Sequence, residues 1–199
     1  AVTDALQAPP YGSGTLSDVL PSVARLLGVS RYSDVLDLTA LDVHAGAPEA
    51  VTVLLIDGLG WWPWRDAIDS TPTLAAMAQR RLSTSVPSTT PTALASLGTG
   101  LPPGAHGIVG AAFRLPEDDS LLHPLSWVDG PHPMATQPEP TVFERVVAAG
   151  VPVTSVGASA YAQSGLTRAV LRGGDYAGSD TVDDIVQAIA GHRSGLTYA

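Results

Sequence analysis

VTVLLIDGLG, residues Val51 to Gly60, decides how the rest of the chain is read. Its β-branched and aliphatic run, Val51 to Ile56, stops abruptly at Asp57-Gly58. The run is too short for a long helix and lacks the apolar/polar alternation of a half-exposed strand. It predicts a parallel strand buried on both faces. In open α/β sheets ligands collect where strands end in carboxyl-terminal loops, so Asp57 is placed where chemistry is expected.

The flanking sequence agrees with that class. Ser17-Asp18 predicts a cap for a helix through Leu20, Val23, Leu26 and Leu27, stopped by Gly28. Thr71 or Ser70 opens a second helix through Leu74, Met77 and Ala78, and Leu82 to Val86 reads as a strand. Pro91 suits a helix start because its missing N–H is not needed there, and that helix runs through Leu94 and Leu97 to Gly98 or Gly100. Thr141 with Glu144 forms a capping-box pattern. PVTSVG and RAVLRG read as strands, Ser179 or Asp180 as the cap of a helix through Val182, Ile185 and Ile189, and Leu196 to Ala199 as the start of a strand. Alternation of this kind implies an α/β fold with a mostly parallel central sheet flanked by helices. One domain spans 1–199, with 1–50 as an N-terminal adaptor and 113–140, rich in proline, as a lid-like loop. The sheet is expected to be incomplete at the C-terminus, its last strand presenting an apolar edge through which copies could associate.

Composition limits the partners. A chain of 199 residues, 45% hydrophobic and 15% charged, can bury one sizeable core. Its net charge of −9, without any Lys/Arg-rich run, argues against a nucleic-acid polymer as partner. No apolar run is long enough to span a bilayer, so no membrane partner is expected. With neither a leader-like start nor any cysteine, the expected location is cytoplasmic. An acidic protein can still act on a small phosphate ester when cations supply the local positive field.

The second informative stretch is VPSTTPTALASLGTGLPPGAHGIVG, Val86 to Gly110. Two adjacent threonines, Thr89 and Thr90, stand at the predicted helix start. A hydroxyl there gains from helical N–H groups that favour an anion, and from any bound cation that lowers its pKa enough for attack. Each feature has an ordinary reading as well. Asp after a strand is commonly a turn former, and Ser or Thr before a helix is commonly a cap. His106 reads as a loop or packing histidine, and His44, His123, His132 and His192 lack metal-like spacing. Glu117 to Asp119 read as a solvated loop and Asp183-Asp184 as the wet face of a helix. Trp61, Trp62 and Trp64 fit either a stacking platform or a packed rim. Other motifs fail. GTGLPPG has no Lys-Ser/Thr for a phosphate loop, DGLGWW lacks the third glycine of a dinucleotide fingerprint, and GASAY is not a nucleophile elbow.

Together, LLIDGLG at 54–60, the 86–110 stretch, TVFERVVAAGVPVTSVG and SGLTRAVLRGG resemble the alkaline phosphatase superfamily, and within it the type I phosphodiesterase/nucleotide pyrophosphatase family. The resemblance implies a metal-dependent phosphoester hydrolase that works through a covalent phospho-threonine. It implies two divalent metal ions, usually zinc, with Thr90 as nucleophile and with Asp57 and Thr90 as metal ligands. It also implies a small phosphoester or nucleotide substrate. Ala111 stands where eukaryotic members carry an asparagine that holds a phosphate oxygen. The family's remaining metal ligands lie in a later half, so this chain is expected to be a piece of a longer enzyme, inactive alone. The alternative is a non-catalytic α/β module that binds phosphate-like ligands. Within enzymes, a phosphomonoesterase or phosphonate hydrolase remains open.

Overall fold

The computed structural model describes residues 8–40, 48–77 and 79–199. After a short 3-10 turn, α1 (Val19–Leu26) leads through a looser segment to β1 (Ala50–Val53), α2 (Trp61–Asp66), α3 (Pro72–Ala75), α4 (Thr90–Thr99) and α5 (Pro103–His106). A small hairpin of β2 (Phe113–Arg114) and β3 (Leu121–Leu122) precedes α6 (Pro133–Thr136). Then come α7 (Val142–Ala148), β4 (Val153–Gly157), α8 (Gly165–Val170), β5 (Asp175–Gly178), α9 (Val182–Gly191) and β6 (Gly195–Tyr198). The chain is an α/β fold with a four-stranded sheet in the order β1-β6-β4-β5, and every pairing in it is parallel. All four carboxyl ends therefore open on the same side.

One face of the sheet carries the core. Val153, Leu196 and Tyr198 meet Leu20, Val23 and Ala24 of α1, Leu97 of α4, and Val142, Phe143 and Val146 of α7. Thr141 caps α7 as its spacing predicts, accepting from the Glu144 N–H at 3.0 Å while the Glu144 carboxylate takes the Thr141 N–H at 2.8 Å. A second cluster joins Ala95 of α4 and Ile108 to Leu166, Ala169 and Val170 of α8. The direction of connection reverses between β5 and β6, which sends α9 to the other face, against β4.

β1 differs from its expected burial. It lies at the sheet edge, where Val51, Val53 and Leu55 turn to the core, whereas Leu54 is 58% exposed and Ile56 50%. The reason is positional: an apolar run reads as buried on both faces only if something covers both, and α9 packs over β4 instead. The expected edge strand is also misplaced. β6 sits between β1 and β4, so the last strand is internal.

Five further features depart from expectation. Among the described residues Leu82 to Val86 makes one bridge, Ser83 to Thr15, and Pro87 offers no N–H to extend it. RAVLRG is not a strand: Ser164 accepts the Thr167 N–H at 3.1 Å and opens α8, whose Leu166, Ala169 and Val170 recur at helical spacing. DYAG, read as nothing, is β5. Thr181, not Ser179 or Asp180, caps α9. The helix from Thr71 stops at Ala75, and Ala78 lies outside the described residues. The 113–140 excursion is tied down by Gln137, whose side-chain amide donates to the Ala169 carbonyl at 3.0 Å, and by Arg172, which donates to the Glu139 carbonyl at 2.7 Å.

α4 meets α8 at close quarters. A Cβ on Gly98 would lie 1.8 Å from the Val170 carbonyl oxygen, with Leu171 Cδ2 at 3.2 Å. Only a residue without a side chain allows this contact. Gly98→Ala should cost about 3 kcal/mol or more, by forcing backbone apart in a filled core. The check is a urea-unfolding midpoint lowered without loss of slope.

Candidate active site at the carboxyl ends of the strands

Asp57 follows the strand, and Gly58, with φ of +76°, turns the chain away immediately behind it. The carboxylate is thereby left exposed at the carboxyl end of the sheet. Thr90 is the first residue of α4, with Thr89 in the flanking extended conformation at the N-cap. The structure brings the two together: Thr90 Oγ1 donates to Asp57 Oδ2 at 3.2 Å across 33 positions of sequence. Behind them, the side chains of Thr89 and Thr92 share a hydrogen bond of 3.0 Å. Thr89 does not cap the helix with its side chain, so the first turn of α4 keeps its N–H groups free of that partner.

Residues that sequence reasoning left without a catalytic or binding role stand around this end of the sheet. Tyr198 closes β6, and burial raises its phenol pKa, helped by the negative charge of Asp57 and then by Tyr176. Beyond β4, Ser159 donates from both its N–H and its hydroxyl to Asp180, each at 2.8 Å, and these bonds hold the Asp180 carboxyl below its usual range. What joins these residues is the parallel strand order, which local sequence does not display.

His106 has the structural place its ordinary reading assigned. It is 1% exposed, and its Nδ1 accepts the Ile108 N–H at 3.1 Å. The ring proton therefore sits on Nε2 and points to Ser96 Oγ, 3.0 Å away. Burial pushes its pKa down to about 4, so the neutral ring ties α5 to α4. His132 accepts from Arg168 at 3.2 Å, His192 donates to the Ala188 carbonyl at 2.6 Å, and His44 lies outside the described residues. Asp119 pairs with Arg114 at 2.8 Å on the surface, and Asp184 serves the cap of α9.

Asp57 and Thr90 are hard oxygen donors of the kind a divalent cation takes. Their number falls short. Among the described residues no three Asp, Glu, His or Cys side chains gather closely enough to hold an ion, whereas a zinc site draws three or four ligands from protein. The described residues thus do not fit a di-metal centre by themselves.

The tryptophans form a rim beside the site. Trp61 and Trp64 lie tilted with ring centroids 5.4 Å apart, and Trp64 donates to Thr71 Oγ1 at 3.1 Å. With Leu54, Ile56, Leu74 and Met77 they line an open groove of about 530 Å³. Trp62 stands outside it, 66% exposed, with Arg81 over its ring.

The family model for type I phosphodiesterase / nucleotide pyrophosphatase matches residues 51–189. That span opens in β1 and contains both Asp57 and Thr90. No curated protein and no solved structure matches the chain.

The buried histidine makes a pH prediction. With a folded pKa near 4 against 6.5 in the open chain, His106 binds its proton more readily when unfolded. Stability contributed by the neutral ring is complete above pH 6.5 and is lost as pH falls toward 4, by about 3 kcal/mol in all. Unfolding free energies measured from pH 7 to pH 4 should show this slope in the wild type. The slope should be smaller by that amount in His106→Gln.

Proposed function

The chain belongs to the type I phosphodiesterase/nucleotide pyrophosphatase family, a family of hydrolases, and from that membership we propose that Thr90 is the nucleophile of a phosphodiesterase or nucleotide pyrophosphatase. The observation that carries the reading is the Thr90–Asp57 contact of 3.2 Å at the start of α4. A hydroxyl already aligned on a carboxylate loses little freedom on the way to attack, which is where positioned groups gain rate. Thr90 Oγ1 forms a bond to phosphorus as its proton passes along the hydrogen bond to Asp57, and the alkoxide or phosphate opposite leaves in line. Water then cleaves the phospho-threonine and restores the hydroxyl. Asp57 holds Oγ1 in the attacking direction, and the start of α4 favours the negative charge that develops beside it.

Two divalent ions, zinc in this reading, would neutralise phosphoryl oxygens and lower the hydroxyl pKa when bound, with Asp57 and Thr90 as donors from this chain. The substrate is a small phosphoester or nucleotide, consistent with a net charge of −9 that repels polymeric phosphate.

A second reading draws on the short donor set among the described residues: a module that binds phosphate-like anions without turning them over. Hydrolysis of a bis-nitrophenyl phosphodiester by the complete enzyme of which this chain is expected to be a piece, with zinc present and with chelator, separates the two. The enzyme reading expects turnover that chelator removes and that Thr90→Ala lowers by about a thousandfold or more. Asp57→Asn should lower turnover and reduce zinc retained on dialysis. Undiminished turnover in Thr90→Ala would end the nucleophile assignment. Anion binding with neither turnover nor retained zinc would favour the module.

A further inference from the structure

Thr92 poses a question of proton bookkeeping. Its residue is fully buried, at 0% exposure, inside the first turn of α4. Among the described residues, the partner given to its hydroxyl oxygen is Thr89 Oγ1 at 3.0 Å, and no other. A buried O–H whose proton meets no acceptor costs free energy, so that proton belongs on Thr89 Oγ1. Thr92 donates, and Thr89 accepts. The proton of Thr89 itself is then left to point elsewhere.

Where it can point follows from the backbone. Thr89 is half-buried, extended at φ −85° and ψ 149°, and directly precedes Thr90. Its hydroxyl makes no capping bond to a helical N–H, so it is not spent on the helix. One position beyond Thr90, Pro91 has no N–H. The turn that would receive an anion at Thr90 therefore has one backbone donor fewer than an ordinary helix start. A second hydroxyl, oriented by a buried neighbour and holding a free proton, stands beside that deficit.

We infer that Thr89 is a further catalytic residue, whose hydroxyl donates to a non-bridging oxygen of the phosphoryl group attacked by Thr90. The inference rests on the phosphoester-hydrolase reading above for its reaction, and on the Thr89–Thr92 hydrogen bond for its donor. No proton is transferred in this contact. The Thr89 O–H bond stays intact and its dipole meets charge that grows on the phosphoryl oxygen during attack. The pair works in sequence: Thr92 fills a lone pair of Thr89 from inside the fold, which fixes the Thr89 proton on the outer side. The ligand class is a tetrahedral oxyanion, and inorganic orthophosphate is sufficient to probe it.

The experiment titrates orthophosphate into the metal-free full chain by calorimetry, and compares wild type with Thr89→Val and Thr89→Ser. Valine keeps the shape and removes the hydroxyl, and serine restores it. Thr89→Val should weaken phosphate binding about tenfold or more, and Thr89→Ser should recover most of that loss, with circular dichroism and melting temperature reporting that α4 remains folded. Should Thr89→Val fail to fold, the comparison of Thr89→Ser with Thr89→Ala decides in its place. Equal binding by wild type and the hydroxyl-free variants overturns the inference, as does wild-type protein that binds no orthophosphate. These outcomes are separate from failure of the hydrolase reading, which is decided by diester turnover in Thr90→Ala. Where turnover is present, Thr89→Val should lower kcat more than it changes KM, because the donor meets charge that develops in the transition state.

Discussion

Everything at the candidate site depends on where α4 is held. Its N-terminal residue is half-exposed and, among the described residues, its side chain makes one hydrogen bond, so local interactions do not position it. Its C-terminal half is fixed instead. Gly98 brings the helix against the Val170 carbonyl at a separation that excludes any side chain, Ser96 is bonded to the buried His106, and Leu97 enters the main core. A ten-residue helix is about 15 Å long and stiff, so clamping one end aims the other. The aim is toward Asp57, delivered from a different direction by β1. Neither residue constrains the other strongly; two separately anchored elements meet.

This division explains what could be read from the residues alone. Where a signal is local, the reading and the structure coincide: Thr141 and Glu144 close their capping box, Gly100 ends α4 in the left-handed conformation, and Leu196 to Tyr198 form a strand. Where the outcome depends on neighbours, they part. RAVLRG has strand-forming residues, yet Ser164 caps it and the surface of α4 selects the helical stripe. The aliphatic run of β1 cannot announce that it lies at an edge, because burial is a property of the covering element. DYAG is nearly invisible, since it borrows its strand character from pairing with Thr154 to Gly157. Asp57 and Thr90 were found through two motifs and the family resemblance, but their contact is tertiary, spanning 33 positions. Tyr198 and Ser159 had no motif that marked them for a site, and Asp180 was marked only as a helix cap.

The electrostatic setting gives the site its remaining logic. Asp57 is an exposed carboxylate, and the substrate class assigned to Thr90 is an anion. In a medium of intermediate dielectric, two unit charges of like sign a few ångströms apart repel by about 4 kcal/mol. A chain with nineteen acidic and ten basic residues supplies no surplus of cationic side chains to relieve that. The relief available from the described residues is dipolar: the amides at the start of α4 and the threonine hydroxyls. Dipoles of this kind stabilise growing charge well when they are fixed in advance, but they do so less completely than a full positive charge.

The same comparison separates the roles of the three threonines. Thr90 faces the carboxylate, and in the proposed reaction its hydroxyl is the nucleophile. Thr92 is sealed inside the turn and can act only through another group. Thr89 precedes both and is half-buried, its hydroxyl bonded on one side to Thr92 and, in the inference above, left to face the phosphoryl group on the other. A helix start built from three hydroxyls around a proline thus replaces an amide donor with a side-chain donor.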